Sequence, residues 1–161
     1  MLEEHLLDAA THDRESFTCG VRELDEYLQR FAVQQSRKGV TSVHVLVESS
    51  APEIILGYYT LSAAQVDASR LDEHSRKRLP NYPVPCFRMG RLAAHVDHQG
   101  RGLDKLLLGC ALDRCLEARR QIAAYALLVD AKDERAKTFY LHYGFVELRD
   151  SPLTLLLSLG V

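Results

Sequence analysis

Residues 90–108 read GRLAAHVDHQGRGLDKLLL: an apolar run, a polar turn with two glycines, then a leucine-rich helix start. Read as strand, turn and helix, this stretch decides the fold. Gly100 and Gly102 fall where the turn meets the helix. A glycine there lets backbone approach a ligand closely, and the unpaired N–H groups of a helix start bind phosphate oxygens. Arg101 and Lys105 add positive charge. The spacing alone fits a diphosphate cradle and a plain tight turn equally well. It is not a P-loop, because no Gly-Lys-Ser/Thr follows. Nor is it a dinucleotide fingerprint, which needs a third glycine near the start of the chain.

Outward from this stretch, strand and helix signals alternate. Upstream, Cys86–Val96 reads as a strand, entered through an extended passage forced by Pro80, Pro83 and Pro85. Downstream, Leu103–Arg119 reads as a helix with Leu103, Leu106, Leu107, Cys110, Ala111 and Leu116 on its apolar side. Ile122–Val129 reads as a buried strand. Asp133–Tyr143 reads as a helix stopped by Gly144. Phe145–Leu148 and Leu153–Leu159 read as closing strands, joined by a turn at Asp150-Ser151-Pro152.

In the N-terminal half, residues 2–9 read as a first strand. Thr18 is positioned to cap a helix from Val21, carried by Val21, Leu24, Leu28, Phe31 and Ala32 and fading at Arg37–Gly39. Val43, Val45 and Val47 mark a strand buried on both faces, and Ile54–Val66 the next one after a turn at Pro52. Residues 67–79 read as a short polar helix capped by Asp67 or Ser69. The pattern predicts an α/β (α+β) chain, and 161 residues suit one domain spanning 1–161.

Composition bounds the function. With 47% hydrophobic and 26% charged residues the chain builds a core and is not disordered. No apolar run reaches the roughly 18 residues of a membrane span. The start MLEEHLLDAATHD is acidic and lacks the layout of a secretory signal, which predicts a cytoplasmic protein. A net charge of −2 argues against a bulk electrostatic nucleic-acid binder, though not against a local basic face. Cys19, Cys86, Cys110 and Cys115 form no CxxC pair and no ligand spacing with the histidines, so reduced thiols and no metal site are expected.

A second informative stretch is 130–145, DAKDERAKTFYLHYGF. Phe139 and Tyr143 are four apart and share a helix face, with Tyr140 turned about 100° from Phe139. Taken alone, Tyr140 is an ordinary core-edge tyrosine.

Together the two stretches resemble the GNAT-fold acetyl-CoA-dependent N-acetyltransferases. Gln99-Gly100-Arg101-Gly102-Leu103-Asp104 is similar to that family's Gln/Arg-x-x-Gly-x-Gly/Ala, and Ala136-Lys137-Thr138-Phe139-Tyr140-Leu141-His142-Tyr143-Gly144-Phe145 to its later Ala-x-x-Phe-Tyr-x-x-x-Gly-Phe. Five further matches resemble the TacT-like toxins of type II toxin–antitoxin pairs. They are Phe17-Thr18-Cys19-Gly20 with the following Leu24-Asp25-x-Tyr27-Leu28, Leu56–Ser62, Leu79–Pro85, Gly90–Ala93 and Val129–Asp133. The resemblance covers nearly the whole chain.

What it implies is a GNAT fold, a central mixed, mostly antiparallel sheet flanked by helices. The implied activity is a toxin that acetylates the α-amine of aminoacyl-tRNA and so blocks translation. A ribbon-helix-helix antitoxin and a homodimer are implied as partners. Acetyl-CoA would be held by Leu92, Ala93, Ala94, Gln99, Gly100, Arg101, Gly102, Leu103, Asp104, Lys105, Phe139 and Tyr143. Transfer would be direct: a neutral amine attacks the thioester, amides of Leu92–Ala94 stabilise the oxyanion, and Tyr140 protonates the leaving thiolate. An α-amine of pKa near 8 is partly neutral already, so no dedicated base is required. Glu48 and Asp130, the strand-end carboxylates, read as solvated surface groups. A covalent route through cysteine is disfavoured, because Cys86, Cys110 and Cys115 lie in apolar stretches and Cys19 reads as structural.

For tRNA the candidate contacts are Arg37, Lys38, Arg76, Lys77, Arg78 and Arg91, with Arg88, Arg119 and Arg120 as further basic positions. Two departures stand out. Asp104 occupies the Gly/Ala position; at an effective dielectric of about 20, unit charges about 6 Å apart repel by roughly 3 kcal/mol before screening. The Leu153–Leu159 ending also lacks the group's Phe/Leu-Pro close. Two alternatives follow: a GNAT acetylating a small amine or a protein N-terminus, or a catalytically decayed chain that only binds its partner. Acetyl-CoA binding without growth arrest would mark the former.

Overall fold

Val43, Val45 and Val47 recur every second residue, and β-branched side chains at period two favour a strand with one face turned to a core. The computed structural model, which describes residues 1–160, places them on strand β2 (Ser42–Glu48), fully buried. Each contributes about 1.5–3 kcal/mol by leaving water. The chain divides into two compact units, Met1–Ser62 with Arg91–Leu112, and Ala63–Gly90 with Asp113–Val161.

In the first unit, β1 (Leu2–Leu6), β2 and the start of β3 (Gly57–Val66) pair antiparallel in that order. The three-residue β5 (Leu92–Ala94) pairs antiparallel with β3, Ala93 opposite Tyr58. Helices α1 (Arg22–Glu26) and α2 (Ala32–Arg37), joined by a π-helical turn at Tyr27–Phe31, contribute to a core of Phe17, Tyr27, Leu28, Ala32, the three valines, Ile55 and Tyr58. The first ten residues of α4 (Leu103–Ala118) also belong here.

In the second unit, β4 (Val84–Met89) pairs parallel with β6 (Ala126–Asp130). β8 (Ser151–Ser158) pairs antiparallel with both β6 and β7 (Val146–Leu148), with a bulge at Glu147/Leu148. Its core joins Val66, Ala68, Leu71, Val84, Cys86, Ala126, Leu128, Leu148 and Leu156. Helix α5 (Glu134–His142) is capped by Asp133, whose carboxylate accepts the Ala136 N–H at 2.8 Å, and Gly144 at φ +94° ends it as expected.

Several expectations are corrected. The strand expected at Cys86–Val96 is two strands: Gly90-Arg91 interrupts it, β4 pairs with β6, and β5 pairs with β3. Thr18 caps no helix. Its hydroxyl donates to Asp25 at 3.2 Å, and the N-cap is Val21, with no side-chain bond. The polar segment 67–79 splits into a 3₁₀ turn capped by Asp67 and a five-residue helix α3 (Glu73–Lys77) capped by Asp72, because each aspartate accepts an N–H close downstream. β3 begins at Gly57, three residues later than expected, and β1 ends at Leu6. Ile122 is 75% exposed, so β6 starts only at Ala126. On α4, Leu106 and Leu116 are exposed while Leu108 and Cys115 are buried. Three consecutive leucines leave the buried stripe undetermined by periodicity, and tertiary packing chooses it.

Gly57 shows that packing. A Cβ there would lie 2.7 Å from Leu107 Cδ1 and 2.9 Å from the Ala93 carbonyl oxygen. The methyl can turn aside, but the backbone oxygen cannot. Gly57→Ala should therefore destabilise by about 1–3 kcal/mol, read as a lower urea midpoint at unchanged slope. A wild-type midpoint would contradict this close approach of β3, β5 and α4.

Candidate active site

β5 is short, but its pairing pattern matters. The His95 N–H bonds Leu56 O at 2.8 Å and the Thr60 N–H bonds Arg91 O at 3.1 Å. Antiparallel pairs alternate between bonded and non-bonded, so the Ala93–Tyr58 pair between these two is bonded as well. The Leu92 and Ala94 amides consequently face away from β3. Of the three backbone donors that the resemblance assigns to the oxyanion, Leu92, Ala93 and Ala94, the Ala93 amide is therefore committed to Tyr58 and only the other two are turned outward.

After β5 comes a 3₁₀ turn at Val96–His98, then the glycines. Gly100 and Gly102 have φ of +84° and +77°, the left-handed region that side chains avoid, and nothing lies within 4 Å of where a Cβ would sit on either. The Leu106 N–H bonds Gly102 O at 3.1 Å as α4 begins. The Leu103, Asp104 and Lys105 amides precede it and have no intrahelical acceptor. A 16-residue helix thus presents its N-terminus beside an open glycine turn, which fits the diphosphate of a CoA thioester. Arg101 is exposed with one guanidinium nitrogen 3.3 Å from His98 Nδ1, Lys105 is exposed, and Leu103 is buried as the helix's first anchor. Asp104 is exposed in the first turn. Asp104→Gly should tighten acetyl-CoA binding by about three- to tenfold, a screened fraction of the bare repulsion. Calorimetry giving equal or weaker affinity would show that the carboxylate does not oppose the ligand.

Gln99 differs from its assignment in one respect. Its amide nitrogen donates to the carbonyls of Cys19 at 2.8 Å and Ala94 at 3.1 Å. Arg91 also has a partner within its own unit. Its guanidinium carbon lies 3.5 Å from the Tyr27 ring centroid, a cation–π contact. Burial raises the Tyr27 pKa, partly offset by that cation. Arg37 and Lys38 are exposed at the end of α2.

The first unit also holds a groove of about 630 Å³ that the sequence did not suggest, lined by Glu15, Phe17, Thr18, Arg22, Asp25 and Arg30 among others. Its lining comes from the loop before α1, from α1 and from the π-helical turn that follows it. The only hint was the run of alternating charge along residues 22–30.

In the second unit, Tyr140 is buried, its ring 5.3 Å from both Phe139 and Phe145. The Phe139 and Tyr143 rings are 5.1 Å apart, as four-residue spacing predicts. Arg76, Lys77 and Arg78 are exposed at the end of α3, with Lys77 3.6 Å from Glu73. Arg88 is paired with Asp130 at 2.5 Å, which binds both groups within the strands. Burial pushes the Cys86 thiol to about 11 and Cys115 to about 12, and Cys19 is buried, so the thiols fit a structural role. No group of metal-ligating side chains occurs among the described residues.

No protein-family model matches the chain. It is 33% identical over 145 residues, 90% of its length and 85% of the relative's, to a tRNA-acetylating toxin of Mycobacterium tuberculosis. It is 27% identical over 162 residues to a probable toxin TacT of Sinorhizobium fredii, covering 96% of this chain and 89% of that one. Among solved structures, AtaT complexed with acetyl-methionyl-tRNAfMet superposes with a TM-score of 0.91 at 28% identity, covering 98% of this chain and 95% of that one. A tyrosine-to-phenylalanine mutant of AtaT, bound to the C-terminus of the antitoxin AtaR and to acetyl-CoA, superposes at 0.84 with 25% identity, covering 98% and 93%. The glycine cradle, the strand before it and these likenesses agree: the chain belongs to the TacT-like toxins, GNAT-fold N-acetyltransferases that draw their acetyl group from acetyl-CoA.

Proposed function

We propose that this chain acetylates the α-amine of aminoacyl-tRNA and thereby stops translation. The observation that carries the reading is the pair of left-handed glycines, Gly100 and Gly102, at the start of α4, one 3₁₀ turn after a strand, β5, whose Leu92 and Ala94 amides face away from β3. Acetyl-CoA, when bound, supplies the activated acetyl group. The Gly100–Lys105 backbone holds its diphosphate, the Leu92 and Ala94 amides polarise the acetyl oxygen, and the Tyr140 hydroxyl delivers a proton to the leaving sulfur. Phe139 and Tyr143 wall the thioester arm. The acceptor amine needs no strong base, because an ester-bearing α-amine is partly neutral at physiological pH. The aminoacyl end enters the groove between the 15–20 loop and α1. Acetylation removes the nucleophilic amine, and a peptide bond can no longer form on it.

The rest of the tRNA is met by Arg37, Lys38, Arg76, Lys77, Arg78 and Arg91. If so, affinity for tRNA should fall about tenfold or more between 50 and 200 mM salt. A flat response would remove these residues from phosphate binding. Adding the chain and acetyl-CoA to a cell-free translation reaction tests the whole reading: synthesis should stop only when both are present.

As a partner we propose an antitoxin, supported by the antitoxin bound to AtaT; that it is of the ribbon-helix-helix class, and that the chain is a homodimer, we propose from the family resemblance alone. We propose a cytoplasmic location, where aminoacyl-tRNA is made. Among the described residues no helix is long and apolar enough to cross a membrane.

A further inference from the structure

Gln99 is exposed, yet its amide nitrogen is spent on two carbonyls eighty and five positions away in sequence. One carbonyl, Ala94 O, ends β5. The peptide that follows it is pinned on both sides, because its N–H, that of His95, bonds Leu56 O just before β3. The other carbonyl, Cys19 O, belongs to the loop that walls the groove. That loop is fastened in the same direction by the Val96 N–H to Thr18 O at 2.9 Å. Its opposite side is held by Asp25, which accepts the Cys19 N–H at 2.8 Å and the Thr18 hydroxyl at 3.2 Å. The Phe17 ring stands edge-on to His95 at 5.7 Å. Gln99 therefore ties the strand that carries the acetyl-polarising amides to the loop that borders the groove, from a position directly before the glycine cradle.

We propose that Gln99 is a positioning residue that sets the distance between acceptor amine and acetyl carbon, and that it does not ligate acetyl-CoA with its side chain. The inference rests on the acetyl-transfer reading above. Both bonds are donated by the one amide nitrogen, so a side chain that ends in acceptors would push the loop off the strand. Arginine places an N–H at the same atom, after Cβ, Cγ and Cδ, and serves as the conservative replacement.

The test compares wild type with Gln99→Glu and Gln99→Arg, using calorimetry with acetyl-CoA and single-turnover transfer to aminoacyl-tRNA. In Gln99→Glu, turnover should fall about 10- to 100-fold, the cost of a misplaced reacting pair, while acetyl-CoA Kd stays within about threefold. Gln99→Arg should recover most of the turnover. If Gln99→Glu does not fold, by its urea midpoint, Gln99→Met removes the donor without adding charge and is read the same way. Loss of acetyl-CoA affinity as large as the loss of turnover would make Gln99 a direct ligand and overturn the proposal. So would normal turnover in Gln99→Glu, or an arginine variant as poor as the glutamate one. A wild-type chain that transfers nothing to aminoacyl-tRNA would instead sink the acetyl-transfer reading itself.

Discussion

Tyr140→Phe should lower acetyl-transfer turnover by about 10²- to 10⁴-fold, the usual worth of a placed general acid, and leave acetyl-CoA affinity unchanged. The leaving thiolate has a reference pKa near 8.5, and a phenol near 10 is protonated at neutral pH and able to give its proton up as sulfur charge develops. Phenylalanine keeps the ring against Phe139 and Phe145, so packing is preserved and only the hydroxyl is lost. Single-turnover rates alongside calorimetry separate the effects. Unchanged turnover would remove Tyr140 from catalysis, and lost affinity would make it a binding group.

Gly102→Val should weaken acetyl-CoA binding by about tenfold or more. At φ +77° a β-branched residue is strained by roughly 1–2 kcal/mol or more. The free loop relieves that strain by leaving the left-handed region, and binding must restore it, at about 1.4 kcal/mol for each tenfold of affinity. The new methyl groups would also stand in the open space beside the helix start. Gly39→Val is the control: it carries the same kind of strain at φ +74°, also with nothing within 4 Å, but lies after α2. It should leave acetyl-CoA affinity alone. Equal losses in both variants would mean the effect is general destabilisation.

The turn before α4 was legible in the sequence because backbone held at positive φ announces itself through glycine. Helix α5 was legible for a similar reason: Asp133 and Gly144 act locally, within a turn of the ends they define. What the sequence hid depends on distant neighbours. The break at Gly90-Arg91 separates β4, which lies between β3 and β6 in the sheet, from β5, which leaves that path to pair with the start of β3. The buried stripe of α4 includes Leu107 rather than Leu106 because Gly57 leaves no Cβ in its path. The π-helical turn that brings Tyr27 under Arg91 leaves no mark in the hydrophobic period. Thr18 looked like a cap because threonine before a helical run usually is one, and Asp25 claimed it instead. The same holds for the site. Gln99 was read as a cofactor ligand from its motif position, while its contacts with Cys19 and Ala94 are set by folding. The groove bordered by Glu15 and Arg30 arises only when loop and helix meet.

The central claim is that the acetyl group ends on the α-nitrogen of aminoacyl-tRNA. The most direct measurement incubates the purified chain with acetyl-CoA and a pool of charged tRNAs, digests the RNA with nuclease, and analyses the aminoacyl-adenosines by mass spectrometry. The account predicts N-acetyl-aminoacyl-adenosine, absent without acetyl-CoA and nearly absent with Tyr140→Phe. Aminoacyl-adenosines that stay unmodified while acetyl-CoA binds normally would contradict it and move the acceptor to a small amine or a protein N-terminus.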